Sequence, residues 1–337
     1  MKKYTVAVVG VGAVGEEMLR VLKQRNFPVD QLKVFGRTNR EISVDGDKYQ
    51  VDTLNADSFK GIDIALFAGT EGEKGAAVTF ASDAVKSGAV VIDNGADFRM
   101  EKNVPLVVPE ANPKALKTHK GIIANPNCST IQMVVALAPI QKKFGLKRII
   151  ASTYQAVSGS GRGAIVQTED EYRAWAQNSK SDKPKALDQE IAFNLFPHIG
   201  SFTENGFTTE EMKMVHETHK ILSDKKIKIS CTTVRVSVKN AHSESVYIET
   251  KKPTTAEAVQ NLLRKSPGVT VMDDPKNKIY PMPKDISGKD DVFVGRIRRD
   301  PYVKNGFWLW IVSDNLRKGA ALNAVQIAEE LIKQKLI

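Results

Sequence analysis

The sequence predicts a two-domain α/β protein, with a doubly wound parallel sheet in the first domain and a large mixed sheet in the second. In the first third of the chain, short β-branched apolar runs alternate with helical stretches, which is typical of a parallel sheet covered by helices. Beyond residue 128 the apolar segments become longer and several alternate with polar residues, which favours a mixed or antiparallel sheet. A chain of 337 residues is long enough for two domains. We place them at 1–127, with the C-terminal helix 316–337 packing back on it, and at 128–315.

The first domain contains four strand-like runs. The first is YTVAVVG at 4–10, which is apolar and β-branched like a strand buried on both faces. A glycine-rich turn follows and opens a helix with Met18, Leu19 and Leu22 on one side. Further strands are predicted at 32–36, 63–69 and 89–95, with helical stretches between the last two.

The second domain opens with a helix at Cys128. Its apolar positions share one face and are Ile131, Val134, Val135 and Ala138. Long strands are then predicted in KRIIASTYQAV (147–157), IKISCTTVRVSV (227–238), HSESVYIET (242–250) and FWLWIVSDN (307–315). The segment 172–190, rich in Lys, Asp and Ser, predicts an exposed excursion. The last helix is amphipathic, which suits packing against the first domain.

Composition and charge argue against several classes of protein. The net charge is +10, but basic residues alternate with acids, and the densest cluster is the short RIRRD at 296–300. A nucleic-acid partner is therefore not expected. The basic start and the apolar run to Gly15 resemble a signal peptide, but Glu16 and Glu17 follow at once. No other apolar run is long enough to cross a bilayer, so no membrane partner is expected. Two cysteines cannot form a disulfide framework, which predicts a reducing, cytoplasmic compartment.

The turn after the first strand carries the spacing G-x-G-x-x-G at Gly10, Gly12 and Gly15. This motif is informative here because it follows a strand and opens a helix. Gly10 permits a tight turn, Gly12 lets a pyrophosphate approach the backbone, and Gly15 allows close packing of helix on strand. The alternative is a glycine turn that serves packing alone. We predict a dinucleotide site of Rossmann type.

The end of the second strand decides between the two nicotinamide cofactors. An NAD site places an acid there for the ribose 2′-hydroxyl, whereas an arginine suits the 2′-phosphate of NADP. The chain offers Arg37, Thr38 and Arg40, which predicts NADP. Three acids leave NAD open as the alternative if they face the ribose; they are Glu41, Glu71 and Glu73.

Cys128 lies where a helix is predicted to begin, directly after Asn127. Unpaired N–H groups and the helix dipole favour an anion at this place. They therefore lower the pKa of a thiol and increase the fraction present as the nucleophilic thiolate. A lone cysteine is more often a small buried hydrophobe, and that is our interpretation of Cys231. A nucleophilic thiol in a nicotinamide enzyme indicates acylating oxidation of an aldehyde through a thioester.

This chemistry also needs a group that transfers protons. His242 ends the strand VRVSV and begins the next one, so it can project into a cleft. The other histidines lie among lysines or acids, where a solvated position is the simpler interpretation. We therefore select His242 as the candidate acid/base.

At this point the chain resembles the aspartate-β-semialdehyde dehydrogenases over essentially its whole length. The resemblance rests on these segments: GVGAVG, DNGADFR, PLVVPEAN, NPNCSTIQM, STYQAVSGSG, EEMKM, VRVSVKNAHSESVYIET, FVGRIR and VSDNLRKGAALNAVQIAE. It implies NADPH-dependent reductive dephosphorylation of L-4-aspartyl phosphate to L-aspartate 4-semialdehyde and inorganic phosphate. The step feeds lysine, threonine, methionine and diaminopimelate biosynthesis. It also implies a catalytic and dimerisation domain, a homodimer formed through the second sheet, and no metal.

The resemblance assigns roles residue by residue. Cys128 resembles the nucleophile, His242 the acid/base, and Gln155 the residue that orients the acyl intermediate. The substrate ligands implied are Arg99, Asn127, Glu210, Lys213 and Arg235, with Arg99 and Lys213 on the phosphate, Glu210 on the ammonium group and Arg235 on the carboxylate. The cofactor ligands implied, beside the three turn glycines, are Ala13, Val14, Arg37, Thr38, Arg40, Ser158, Gly159 and Gln326. From its alternation with Val234 and Val236 we expect Arg235 to leave the core face.

Two segments depart from the family pattern, and two other functions stay open. FGRTNRE stands where a serine-rich segment is usual, and AGTEGEKGAA carries acids in place of serines. The first alternative is a related reductase of the N-acetylglutamyl-phosphate type, against which EEMKM and AHSES argue. The second is a non-catalytic NADP-binding relative. The presence together of Cys128, Gln155, Arg235 and His242 favours the enzyme.

Overall fold

The computed structural model describes residues 2–69, 75–181, 184 and 186–337. Its strands are β1 (Tyr4–Val9), β2 (Val29–Gly36), β3 (Arg40–Val44), β4 (Asp47–Thr53), β5 (Ile64–Phe67), β6 (Val90–Asp93), β7 (Ile122–Ala124), β8 (Leu146–Gln155), β9 (Leu195–Phe196), β10 (Lys228–Val236), β11 (His242–Thr250), β12 (Val269–Val271), β13 (Val292–Arg299) and β14 (Gly306–Ser313). Its α-helices are α1 (Ala13–Gln24), α2 (Ala76–Lys86), α3 (Cys128–Phe144), α4 (Arg162–Ala176), α5 (Thr209–Leu222), α6 (Ala256–Leu263), α7 (Pro283–Ile286) and α8 (Leu322–Lys333).

The chain divides into two compact units. The first comprises Met1–Asn127 and Ala320–Ile337, and the second comprises Cys128–Gly319. The first unit contains a sheet in the order β3-β4-β2-β1-β5-β6-β7, parallel except for the β3–β4 hairpin. This is the predicted Rossmann-type sheet, and the four predicted strands correspond to β1, β2, β5 and β6.

Helices cover both faces of this parallel sheet. Val6 and Val8 of β1 pack in a cluster with residues of α1 and α8, such as Met18 and Val325. Ala7 and Val9, on the opposite face of β1, belong to a second cluster that includes Ala77 of α2. Burial on both faces explains why β1 is apolar at every position from Val6 to Val9.

The second unit contains a mixed sheet in the order β12-β13-β14-β11-β8-β10-β9. Helix α3 contacts β8, β11, β13 and β14. Its residues from Ser129 to Leu137 are all buried, so the single apolar face predicted for this helix was too narrow. A helix surrounded by packing partners is buried all round, and its sequence shows little amphipathic contrast.

Most of the described residues in the predicted excursion at 172–190 are exposed, which confirms the expectation, and Leu187 is buried. Helix α4 continues through Ala176, and Leu187 packs with Val157 and Ala164 in a small core. The Glu171 carboxylate accepts the N–H groups of Ile191 and Ala192, both at 2.8 Å, and so fixes the end of the segment. Residues 182, 183 and 185 lie outside the described residues.

No helix in the described part of the chain is long and apolar enough to cross a membrane.

Candidate active site

The glycine turn of the first unit has room for a dinucleotide phosphate. Gly10 has φ +95°, a left-handed conformation that favours glycine. A Cβ on Gly15 would lie 1.9 Å from the carbonyl oxygen of Gly10, so only glycine lets α1 pack this close. A Cβ on Gly12 would meet nothing within 4 Å. Because α1 begins at Ala13, the N–H groups of Ala13 and Val14 lie in its first turn, where a phosphate can accept them. The turn therefore fits a pyrophosphate.

The segment after β2 presents the predicted arginines on the surface. Arg37, Thr38 and Arg40 are exposed, and the guanidinium of Arg40 donates to the Thr38 hydroxyl at 3.3 Å. Asn39 anchors the segment, because its side-chain oxygen accepts the Thr53 N–H at 2.6 Å.

Two of the acids that left NAD open lie outside the described residues, namely Glu71 and Glu73. The third, Glu41, lies 2.9 Å from the ammonium group of Lys48 across the β3–β4 hairpin. A lysine therefore already compensates its charge.

Arg99 is buried and rigidly held in the first unit. Its Nε donates to the Asn125 carbonyl at 3.0 Å and its Nη2 to the Asn94 carbonyl at 2.7 Å. Asn127 is the last residue of this unit and is buried, and Gln326 lies partly buried in α8.

In the second unit, Cys128 is the first residue of α3 and is partly exposed, as a nucleophile must be. The neighbouring π-helical turn Arg317–Ala321 approaches it closely: a Cβ on Gly319 would lie 3.0 Å from the Cβ of Cys128. The other cysteine is different. Cys231 is 3% exposed, and burial raises the pKa of its thiol. The interpretation of Cys231 as a buried hydrophobe is confirmed.

His242 is completely buried at the start of β11. The N–H of Ala156 donates to its Nδ1 at 2.9 Å. Because a backbone N–H can only donate, Nδ1 is the acceptor, and the neutral ring carries its proton on Nε2. Within the described residues Nε2 has no hydrogen-bond partner. Burial, reinforced by the positive charge of Arg235, holds the pKa of His242 well below its usual range. The ring is therefore neutral and has one N–H to offer.

Arg235 is 4% exposed, so the expectation that it leaves the core face was wrong. It shares the buried face of β10 with Cys231 and Thr233, whereas the valines beside it are partly exposed. Its Nη1 donates to the Ala156 carbonyl at 2.6 Å. Burial lowers the pKa of its guanidinium, and Glu210 and, to a smaller extent, Cys128 oppose that shift. Arg235 therefore lies close enough to Glu210, Cys128 and His242 to interact electrostatically with each of them.

Gly159 allows these side chains to approach. A Cβ there would lie 3.0 Å from the His242 ring and 3.1 Å from the Arg235 guanidinium. Its neighbour Ser158 is buried and is bonded through its hydroxyl to Asn240 and Asn315.

Glu210 belongs to the same group of side chains. It is 6% exposed and accepts a hydrogen bond from the Gln155 amide at 3.2 Å. Lys213, one turn later on α5, lies 3.8 Å from its carboxylate. Composition alone would suggest that Glu210 and Lys213 form an exposed surface ion pair. The burial of the Glu210 carboxylate argues against that interpretation.

Sequence reasoning missed Glu211. Its carboxylate accepts the Thr208 N–H at 2.8 Å and the Thr233 N–H at 2.9 Å. The first bond forms a capping box at the start of α5, for which the spacing T-x-x-E was a recognisable signal. The second bond ties α5 to β10, and no local pattern predicts it.

Two family models match the chain. "Semialdehyde dehydrogenase, NAD binding domain" matches residues 5–119, and "Semialdehyde dehydrogenase, dimerisation domain" matches residues 137–318. The aspartate-semialdehyde dehydrogenase of Aquifex aeolicus is 51% identical over 342 residues, covering 99% of each chain. That of Bacillus subtilis is 48% identical, covering 98% of each. This chain belongs to the aspartate-semialdehyde dehydrogenase family. The fold agrees, since aspartate semialdehyde dehydrogenase II from Vibrio cholerae, solved in complex with ASA, superposes with a TM-score of 0.94 at 42% identity over 99% of both chains.

Membership of this family confirms the resemblance seen in the sequence and the predicted fold class. It also confirms that the first unit is a nicotinamide-cofactor domain and the second a dimerisation domain of this family.

Proposed function

We propose that this chain is an NADP-dependent aspartate-semialdehyde dehydrogenase that converts L-4-aspartyl phosphate to L-aspartate 4-semialdehyde and inorganic phosphate. The observation that carries the proposal is a group of side chains in the second unit. It comprises a partly exposed thiol at a helix start, a neutral histidine whose Nε2 has no partner among the described residues, and the Arg235 guanidinium near both. Its place is the cytoplasmic synthesis of lysine, threonine, methionine and diaminopimelate.

Cys128 carries the covalent step. Its thiolate attacks the acyl carbon of the substrate, the C–S bond forms, the C–O bond to the phosphoryl group breaks, and inorganic phosphate leaves. A bound nicotinamide supplies the hydride that reduces the resulting thioester. The C–S bond then breaks, the aldehyde is released, and the thiolate of Cys128 is regenerated.

His242 acts here as a hydrogen-bond donor. Nε2–H can donate to the acyl oxygen, which becomes negative each time a tetrahedral centre forms at the acyl carbon. A proton-accepting Nε2 would require the ring proton on Nδ1, where it would face the Ala156 N–H. The geometry therefore favours stabilisation of the oxyanion over removal of a proton.

The remaining side chains bind the substrate. Arg235 suits the carboxylate, because a guanidinium binds a carboxylate with two parallel hydrogen bonds. Glu210 suits the ammonium group, and Gln155 holds Glu210 in place. Lys213, and Arg99 in the first unit, are assigned to the phosphate.

The cofactor preference rests on Arg37 and Arg40. Both are exposed beside the end of β2, where the adenosine ribose lies in this type of domain. A 2′-phosphate there gains charge-assisted hydrogen bonds from either guanidinium.

The proposal includes a homodimer formed through the second sheet. Along β8, Ile149 and Ala151 are buried while Arg148 and Ile150 on the opposite face are exposed. A sheet face with an exposed isoleucine is suited to a second copy of the chain. Analytical ultracentrifugation of wild type and Ile150→Asp tests this part. The wild type should be dimeric, and the variant should dissociate into monomers at a higher protein concentration than the wild type does.

The activity is tested by turnover of enzymatically prepared L-4-aspartyl phosphate with NADPH, followed at 340 nm. N-acetylglutamyl phosphate serves as the competing substrate. Turnover of aspartyl phosphate at more than a hundred times the kcat/KM of the competitor is expected. Preference for the competitor, or no turnover of either, would refute the proposal.

A further inference from the structure

The residue before His242 has an unusual backbone. Ala241 has φ +70°, in the left-handed region that a side chain with a Cβ rarely adopts, and it is completely buried. A non-glycine residue in this region is strained and persists only where its surroundings hold it. The conformation at Ala241 sets the direction in which the chain enters β11, and so it determines where His242 begins.

One side chain holds this backbone. The side-chain oxygen of Asn315 accepts the Ala241 N–H at 3.0 Å. Asn315 is 2% exposed, and its amide group donates to the Ser158 hydroxyl at 2.9 Å. Asn315 also lies two residues after the end of β14, and Ser313, the last residue of that strand, pairs with His242. The amide is thus anchored on the strand next to β11.

The ring of His242 is held by a different group. Its Nδ1 accepts the Ala156 N–H, whereas its backbone is positioned through Ala241. The tautomer and the position of His242 are therefore controlled separately.

We propose that Asn315 is a positioning residue for the reaction, which holds Ala241 in its left-handed conformation and thereby places Nε2 of His242 at the reacting acyl group. The proposal rests on the proposed function. Misplacement of a catalytic group by about 1 Å can lower a rate by about 10²-fold. Loss of the Asn315 oxygen removes the bond that holds Ala241, and relaxation of that residue moves the start of β11.

Two other roles for Asn315 make different predictions. Through Ser158, which we assign to the cofactor, Asn315 could instead support nicotinamide binding, and its loss would then raise the KM for NADPH. If its bonds served folding alone, its loss would lower the unfolding temperature and leave kcat unchanged.

The test uses Asn315→Ala with Asn112→Ala as the matched control. Asn112 also holds backbone with its amide, accepting the Val108 N–H at 2.9 Å and donating to the Leu106 carbonyl at 2.9 Å, but it lies in the first unit. Asn315→Ala should lower kcat about tenfold to hundredfold, with the KM for NADPH within about threefold of wild type. Asn112→Ala should lose stability without this loss of kcat.

Ala241→Gly supplies the decisive comparison, because glycine adopts a left-handed conformation without strain. In that background, Asn315→Ala should lower kcat less than about threefold. If Asn315→Ala alone does not fold, the double variant is compared with Ala241→Gly: a kcat within about threefold supports the positioning role, and a larger loss overturns it.

Three results would overturn the positioning role: unchanged kcat in folded Asn315→Ala, an equal loss in both backgrounds, or a raised KM for NADPH with unchanged kcat. Inactivity of the wild type would refute the proposed function instead.

Discussion

At the residue scale, the chemistry depends on the environment of two side chains that the sequence identified. Cys128 and Cys231 have the same thiol, but Cys128 begins a helix with part of its surface exposed, whereas Cys231 lies on the buried face of strand β10. His242 differs from an ordinary histidine because a backbone N–H fixes its tautomer and burial keeps it neutral. Motifs identified these residues, but only the fold determines what each of them can do.

The tautomer of His242 leads to the first prediction. His242→Ala should lower kcat about 10²–10⁴-fold, the usual contribution of a positioned proton-transfer or donor group. His242→Gln should retain at least ten times the kcat of the alanine variant, because the glutamine oxygen can accept the Ala156 N–H while its amide group donates. A glutamine variant no more active than the alanine variant would mean that His242 must accept a proton.

A second prediction at this scale concerns the 2′-phosphate. The kcat/KM for NADPH should exceed that for NADH by about tenfold or more, since one charge-assisted hydrogen bond contributes about 1.5–3 kcal/mol and 1.4 kcal/mol is a factor of ten. Arg37→Ala should reduce this ratio, and Lys33→Ala, on the strand β2 that precedes Arg37, serves as a control. Equal values in the wild type would refute the preference, and an unchanged ratio in Arg37→Ala would exclude Arg37 from the role.

At the element scale, helix α5 and strand β10 must keep a fixed register, because one carries Glu210 and Lys213 and the other carries Arg235. Glu211 joins them through its two backbone hydrogen bonds. Glu211→Ala should therefore raise the KM for the semialdehyde about tenfold with a smaller effect on kcat. Thr255→Ala removes the comparable cap of α6 and should cost similar stability, about 1 kcal/mol, without changing this KM. An equal change of KM in both variants would show that Glu211 acts only as a helix cap.

Elements buried on both faces were predictable, and those at the sheet edge were not. β1, β5 and β6 each contain an uninterrupted apolar run of three or more residues, whereas β3 lies at the edge, is largely exposed and has the sequence of a polar loop. The orientation of Arg235 was predicted wrongly for a related reason. Alternation shows that two faces of β10 differ, but a buried polar group is needed where a substrate binds, and the pattern does not reveal which face that is.

At the scale of the whole molecule, the buried carboxyl of Glu244 makes stability depend on pH. Burial raises the pKa of Glu244 well above its usual range, and the nearby Gln132 amide only partly offsets this shift. The folded chain thus keeps the proton that the unfolded chain releases above about pH 4.3. The free energy of unfolding therefore falls as pH rises above that value, by up to about 1.4 kcal/mol per pH unit until the folded pKa is reached.

Glu244→Gln removes this titration and should preserve the local packing, because glutamine has nearly the same shape as a protonated glutamate. As the pH rises from 5 to 7, the variant should gain unfolding free energy relative to wild type, measured by urea denaturation. Glu257→Gln, at an exposed position of α6, should show no such gain. A constant difference between Glu244→Gln and wild type over this range would contradict a protonated Glu244.

The central claim is the aspartyl thioester on Cys128, and single-turnover acylation tests it most directly. Protein is mixed with L-4-aspartyl phosphate without NADPH, inorganic phosphate is measured by rapid quench, and the modified peptide is identified by mass spectrometry. We expect a burst of about one phosphate per subunit and an aspartyl group on the peptide that contains Cys128. Cys231→Ala should give the same burst and Cys128→Ala none. A full burst from Cys128→Ala, or acylation found only at another residue, would contradict the account.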